Sequence, residues 1–400
     1  MKNIIKIIIF IFQYFFILKK KNIKKKIENE IFRYKKFNRK NMSMEIQEEN
    51  LLSILNYVKS LKEKKMDINY KIENEPKVSF ITPVFNKKKY LSSFISSIQN
   101  QKLKEYEAIF IDDFSIDKSY QTIFEKKSFD NRIKLIRNKK NMGTLYSRYI
   151  GQKFCKADYS IFLDCDDIVL EDGIYKSYNH IIKYNLDIVQ FLIVIQRKNG
   201  IALKTKQFRF NKILKKPILP YIFYYDDKHH KGAEQNVALW DKLIKTKIMR
   251  KAFQFIGENY IKKKIIIQND VIILFSLFQI ANSYQYINEI GYYYKNNNED
   301  SISNTWDNPT KKNEIIISII TNIEFLYKKT NDTYLDKCYC IFKIQHYFKI
   351  FNKLFIKIRN QEYNSIKNII DKILNLEYIP LKDKLILTQI EIFILNMKEN

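Results

Sequence analysis

Glycine and proline are scarce in this 400-residue chain, which holds seven of one and six of the other. Phe80 to Lys89, after the first apolar stretch, contains no glycine at all. That omission removes the Gly-rich, basic phosphate loop expected of a nucleotidyltransferase built on a parallel sheet. The four cysteines, Cys155, Cys165, Cys338 and Cys340, show neither zinc-ligand spacing nor a disulfide framework. Reduced thiols in a cytoplasmic setting fit that pattern better than secretion. Histidine is equally rare, and the one pair, His229 and His230 beside Asp226 and Asp227, offers a weak metal site. Adjacent side chains on a single loop rarely converge without further ligands. Acids are in deficit too, 43 against 71 Lys and Arg, for a formal net charge of +28. The lysines are scattered among isoleucines and asparagines, and no nucleic-acid motif is present, so no nucleic-acid partner is expected.

A long apolar run is also missing. Ile4 to Leu18 comes nearest, but Lys6 interrupts it and the basic run Lys19 to Lys26 adjoins it. As a helix it would be about 22 Å long, against a hydrocarbon core of about 30 Å. An interfacial anchor on an anionic membrane surface is therefore expected, with a short transmembrane anchor as the rival. No small-residue cleavage site is present after Lys19, which disfavours a signal peptide. Leu51, Ile54, Leu55, Val58 and Leu61 then recur at helical spacing and predict a helix within 44–66 that joins this anchor to the rest.

From Val78 onward the chain alternates in character. Val78 to Asn86 reads as an apolar strand broken by Pro83. Leu91, Phe94, Ile95 and Ile98 keep helical spacing, and Glu107 to Asp113 is a second strand ending in an acidic pair. Ser115 and Asp117 are placed to cap a helix running to about Lys127. Arg132 to Arg137 is a third strand, Gly143 to Phe154 a helix, and Tyr159 leads a fourth strand to Asp164. The order βαβαβαβ predicts an α/β fold with a mostly parallel sheet, whose ligands bind beyond the carboxyl ends of the strands. Phe85, Asp113 and Asp164 all fall at such ends.

Asp164, Asp166 and Asp167 put three carboxylates within four residues after a buried strand. Ionised carboxylates this close repel one another, so a divalent cation, a basic ligand or solvent must offset them. Hard oxygen donors suit Mg2+ or Mn2+, which complete their shells with substrate phosphates.

Five stretches in order, Val78 to Asn86, Ser96 to Gln101, Ile111 to Asp117, Asn141 to Arg148 and Ala157 to Asp167, resemble the inverting GT-A glycosyltransferases of family 2. The resemblance is close over 76–175 and weaker to about 303. It implies a metal-dependent enzyme that moves a sugar, with inversion, from a nucleotide diphosphate donor. A UDP-sugar is the expected donor, and a hydroxyl of a glycan or lipid-linked molecule the acceptor, in cell-surface polysaccharide or glycoconjugate synthesis at the cytoplasmic face of the membrane. By position, Pro83 and Phe85 match the loop over the nucleotide base, where an aromatic face can stack. Asp113, with Asp112 beside it, matches the carboxylate that accepts a hydrogen bond from the base. Asn141, Gly143 and Arg148 match the donor-side turn and helix. Asp166 matches the metal ligand and Asp164 the residue nearer the ribose, with Asp167 able to substitute in either role. The catalytic base implied by the resemblance is Asp270, at the start of an apolar helix, where an N-cap role also stays open. Asn269 stands where the family usually has Glu, and Asp241 in the segment Trp240 to Lys245 where it has Asn. Gly291 to Lys295, with Ser301 to Ser303, resembles the end of the catalytic domain.

The chain thus divides into a membrane-associating segment over 1–40, a helical connector over 41–75, a catalytic domain over 76–303 and a helical C-terminal region over 304–400. Tyr221, Phe223, Tyr224 and Tyr225 are candidates for the acceptor side. Two alternatives are a metal-dependent nucleotidyltransferase and a non-catalytic basic protein that binds glycans or nucleic acid.

Overall fold

The computed structural model describes residues 48–63, 75–196, 202–204, 213–216, 219, 238–295, 309–330, 360–376 and six positions between 384 and 395. The anchor over 4–18, the His229 pair, the aromatic cluster from Tyr221, the loop from Ser301 and both C-terminal cysteines lie outside them. The chain forms two compact units. One comprises 44–220 and 234–325; the other comprises 1–43, 221–233 and 326–400.

The larger unit is built on β1 (Val78–Val84), α2 (Lys88–Gln99), β2 (Tyr106–Asp112), α3 (Ser119–Lys127), β3 (Ile133–Arg137), α4 (Thr144–Lys153) and β4 (Tyr159–Phe162). Helix α1 (Glu48–Glu63) precedes them. After β4 come β5 (Ile168–Val169), α5 (Gly173–Lys183), β6 (Ile188–Gln196), β7 (Ala202–Lys204), β8 (Leu214–Lys215) and β9 (Lys242–Lys245). The unit continues with α6 (Thr246–Ile256), α7 (Glu258–Ile261), α8 (Asn269–Ile280) and β10 (Ser283–Lys295), then enters α9 (Pro309–Lys329). Helix α10 (Asn360–Leu374) belongs to the smaller unit.

Strand order is β3-β2-β1-β4-β9-β6-β10-β5. The first four strands are mutually parallel, as the βα alternation predicts, and β6 runs parallel to β10. Between these blocks β9 is antiparallel to both neighbours, and β5, β7 and β8 also pair antiparallel. The sheet is therefore mixed beyond β4. Its parallel half sends the carboxyl ends of β1, β2 and β4 to one edge, where Phe85, Asp113 and Asp164 are found.

Burial tracks the sequence pattern closely in this half. Leu91, Phe94, Ile95 and Ile98 of α2 are each at most 1% exposed. Phe80 stacks on Tyr106 at 4.9 Å, and Phe94 meets Phe110 edge-on at 6.1 Å. Each such side chain contributes about 1.5–3 kcal/mol by leaving water. Pro83 does not break β1, contrary to the expectation from sequence, because the strand keeps its register with β2 to Val84. Pairing with β4 stops at Ile81, whose carbonyl accepts from Leu163 N–H. Ile81 and Pro83 point to the same side, so the missing proline N–H falls where no ladder bond is available to lose.

Two further packings set the limits of this unit. Ile54, Leu55, Val58 and Leu61 of α1 pack against Ile168, Leu170, Val194 and Tyr293, so the predicted connector covers the β5 edge of the sheet. At the other side Ser318 Oγ accepts from Ile266 N–H, and Phe325 packs edge-on against Tyr260 and Phe275. Residues 309–325 thus belong to the larger unit rather than to a separate tail. A β-carbon on Gly173 would lie 2.0 Å from Gly291 Cα, so α5 starts against β10 only because position 173 is glycine.

Candidate active site

The ends of β1 and β2 are stitched together. Asp113 N–H donates to Val84 O at 2.8 Å, Asn86 N–H to Ser115 Oγ at 3.0 Å, and Ile116 N–H to Asn86 Oδ1 at 3.0 Å. Phe85 stands on this edge with 44% of its surface exposed. Asp112 and Asp113 divide their work. Asp112 is buried, accepts from Ser115 N–H and pairs with Arg137 at 3.1 Å. Burial raises its pKa although Ser115 and Arg137 pull it down. Asp113 accepts from Asn138 Nδ2 at 2.7 Å, Met142 N–H at 2.8 Å and Gly143 N–H at 2.8 Å. Four lone-pair positions on a carboxylate leave one beyond those three bonds for a base. The same bonds shape the turn that contains Asn141. Gly143 takes φ +88 there, a conformation that suits glycine, and opens α4.

One turn into α4, Arg148 reaches the carboxyl end of β4. Its side chain is 3% exposed, and it pairs with Asp164 through Nη2 at 3.1 Å and with Asp270 through Nη1. Nη1 also donates to Asn269 Oδ1 at 2.7 Å. A guanidinium presents its donors in a fixed fork, so a single residue bridges the β4 end and the start of α8. Burial opposes the charge on Arg148, but Asp270 and Asp164 together outweigh it and raise its pKa. Asp164 responds the other way: desolvation, against the pull of Arg148, lifts it from 3.8 to about 6. Asp270 lies in the first turn of α8 and not at its cap, which is Gln268 at φ +51. With Oδ1 held by Arg148, its Oδ2 remains on a side chain that is 29% exposed.

The other two acids take different partners. Asp166 Oδ2 pairs with Lys87 Nζ at 2.8 Å, each side chain 19% exposed. Burial works against the lysine charge, yet Asp166 raises the Lys87 pKa. Asp167 is buried, with Oδ2 accepting from Tyr292 O–H at 2.9 Å and Oδ1 from Lys295 N–H at 2.8 Å. Burial and the neighbouring Asp166 and Asp164 push its pKa well above the carboxylate range. Asp167 therefore fastens β10 to the acidic loop.

No group of three or more His, Cys, Asp or Glu side chains among the described residues is gathered to hold a metal ion. The donor set does not suit a closed, all-protein metal cage. Asp164 and Asp166, both after β4 and both partly exposed, are the oxygen donors that would suit a hard cation completing its shell with diphosphate oxygens; here each is paired with a protein cation, Arg148 and Lys87.

Several contributors escape a reading of the sequence. Lys87 lies in a run of three lysines that looks like solvated surface, and only the fold sets it against Asp166. Trp240 lies between Tyr292 at 4.8 Å and Tyr294 at 5.3 Å, nearly parallel to both. The alternation of Tyr292 and Tyr294 on one face of β10 was a usable signal; their meeting with Trp240 was not. Asp241 turns out to be a fully buried partner of Lys242 at 2.7 Å, and it accepts from Gln190 Nε2 at 2.6 Å.

Residues 79–237 match the family model for glycosyl transferase family 2. This stretch belongs to glycosyltransferase family 2. An uncharacterized glycosyltransferase of Haemophilus influenzae is 38% identical over 113 residues, 28% of this chain and 45% of that protein. The cholesterol galactosyltransferase of Borreliella burgdorferi is 29% identical over 234 residues, 56% of this chain and 61% of that protein. The chain thus spans roughly half the length of these relatives. Among solved structures, residues 1–349 of S. aureus TarS in complex with UDP-GlcNAc superpose with a TM-score of 0.57 at 16% identity, covering 80% of this chain and 89% of TarS. That likeness concerns the fold, and it places the family 2 domain on a GT-A scaffold. The expectation of a GT-A fold from the five sequence stretches is met.

Proposed function

We propose that this chain transfers a hexose, with inversion, from a UDP-sugar to a hydroxyl of a glycan or lipid-linked acceptor, in cell-surface polysaccharide or glycoconjugate synthesis. The observation that carries the reading is Arg148, which draws Asp164 of the donor half and Asp270 of the acceptor half onto one guanidinium at the carboxyl edge of the sheet. The UDP-GlcNAc complex of TarS, on a similar fold, supports the donor, and the galactosyl transfer to cholesterol named for the Borreliella relative supports a lipid hydroxyl as acceptor.

In this reading Phe85 stacks on the base, while the turn held by Asp113 presents Asn141 and Gly143 to the donor. Asp166 and Asp164 would hold Mg2+ or Mn2+, which when bound supplies positive charge opposite the departing diphosphate. Asp270 Oδ2 takes the proton from the acceptor hydroxyl as that oxygen attacks the anomeric carbon and the nucleoside diphosphate leaves. Arg148 fixes Asp270 through its ion pair with Oδ1. Lys87 gives up Asp166 and turns to the diphosphate oxygens when donor binds.

No described helix is long and apolar enough to cross a membrane. The apolar and basic character of residues 4–26 supports attachment to an anionic membrane at its cytoplasmic face.

The test is a panel of UDP-sugars assayed for hydrolysis and transfer with Mn2+, with Mg2+ and after chelation. Cation-dependent release of UDP from one sugar, abolished by Asp166→Asn, is the expected result. Full activity of Asp166→Asn, or equal turnover after chelation, would remove the metal from this reading.

A further inference from the structure

The loop after β2 places an aromatic residue where the backbone disfavours one. Phe114 takes φ +67, in the left-handed region that strains any bulky side chain. The residue is also 44% exposed, so burial does little to offset the strain. Strain that persists at an exposed aromatic beside binding residues points to a role outside folding. The ring is nonetheless held. The Arg137 guanidinium lies 5.3 Å from its centroid, and Arg137 is itself fixed by Asp112 at 3.1 Å and by Ser115 O at 3.0 Å. A cation against an aromatic ring fixes its orientation while the exposed remainder stays available to a ligand.

Phe114 is next to Asp113 in the chain, and its loop is stitched to Asn86, the residue after Phe85, by Asn86 N–H donating to Ser115 Oγ and Ile116 N–H donating to Asn86 Oδ1. Phe85 and Phe114 therefore flank the same pair of joined strand ends, each 44% exposed. We propose that Phe114 is a second wall of the nucleobase subsite and stacks its exposed ring on the uracil of the donor. The inference rests on the UDP-sugar reading above and adds a binding residue to it. Arg137 takes part indirectly, by holding the ring and offering its charge to the π-face.

Strain makes the test clean. Phe114→Gly and Phe114→Asn suit the left-handed backbone better than phenylalanine does, so neither should lower the melting temperature. Removing a base-stacking aromatic weakens binding by roughly fivefold to a hundredfold. Calorimetric titration of the full chain with uridine, UDP and pyrophosphate supplies the readout. Both variants are expected to bind uridine and UDP about tenfold more weakly while pyrophosphate binding stays level, and Phe114→Trp should retain wild-type affinity. Uridine affinity within twofold of wild type in Phe114→Asn would overturn the second wall, as would an equal loss for pyrophosphate. A wild-type chain that binds neither uridine nor UDP would overturn the donor reading itself and this inference with it.

Discussion

Replacing Arg148 by methionine tests the convergence on which the active-site reading depends. The side chain is 3% exposed, and it neutralises two carboxylates that are 33% and 29% exposed. Removing one partner from a buried ion pair costs about 3–5 kcal/mol, because the remaining charge is stranded away from water. Fully exposed pairs contribute only about 0–1 kcal/mol. Here solvent reaches roughly a third of each acid, so the cost of Arg148→Met should fall between those limits, at about 2–3 kcal/mol. For a unit of this size that corresponds to a melting temperature about 4–8 °C lower. Methionine retains an unbranched apolar stem, so lost packing beside Phe162 adds little. The triple variant Arg148→Met with Asp164→Asn and Asp270→Asn removes the stranded charges and should recover more than half of the loss. Melts belong near pH 7, above the pKa of about 6 that Asp164 has beside Arg148. Without the guanidinium that pKa rises, so protonation of Asp164 in the variant keeps the cost below that of a fully stranded charge. Lower pH protonates Asp164 and should shrink the penalty. A melting temperature within about 1 °C of the parent for Arg148→Met, or a triple variant no better than the single one, would refute the reasoning.

Asp270→Asn should lower transfer by roughly 10²–10⁴-fold, the range for a general base, while UDP affinity stays within about threefold; undiminished transfer would move the base elsewhere. Gly143→Ala forces a β-carbon onto φ +88 and should cost about 1–3 kcal/mol in urea unfolding; an unchanged midpoint would contradict the strained turn. Glu107 is buried, and although burial alone would raise its pKa, the bonds from Lys134, Ser79 and Lys156 N–H hold it below 4.5. A depressed folded pKa contributes stability that is present above 4.5 and lost as pH falls through the folded value. The urea midpoint of the wild type should therefore drop more steeply below that pH than that of Glu107→Gln, and parallel curves would count against the network.

Features legible before folding derive from periodicity. Spacing alone marked Leu91, Phe94, Ile95 and Ile98 as one buried helix face, because a helix of fixed pitch exposes the same positions wherever it packs. Alternation of strand and helix likewise led to a parallel block with Phe85, Asp113 and Asp164 at its carboxyl edge. Local chemistry announced an acidic cluster after β4, since three adjacent carboxylates are conspicuous in any setting. Three-dimensional pairing decided the rest. Nothing in the sequence said that Asp167 would turn to Tyr292 and Lys295 while Asp166 met Lys87, because adjacent carboxylates are alike until distant strands offer different donors. Pro83 looked like a strand breaker until the short β4 left its side of β1 unpaired. The antiparallel β9, inserted between two parallel blocks, carries no local mark either. Arg148 reached Asp270 across 122 positions of chain through the way α4 and α8 pack. Patterns along a chain determine which faces are buried; which charges share a cleft depends on long-range closure, and that belongs to the tertiary structure alone.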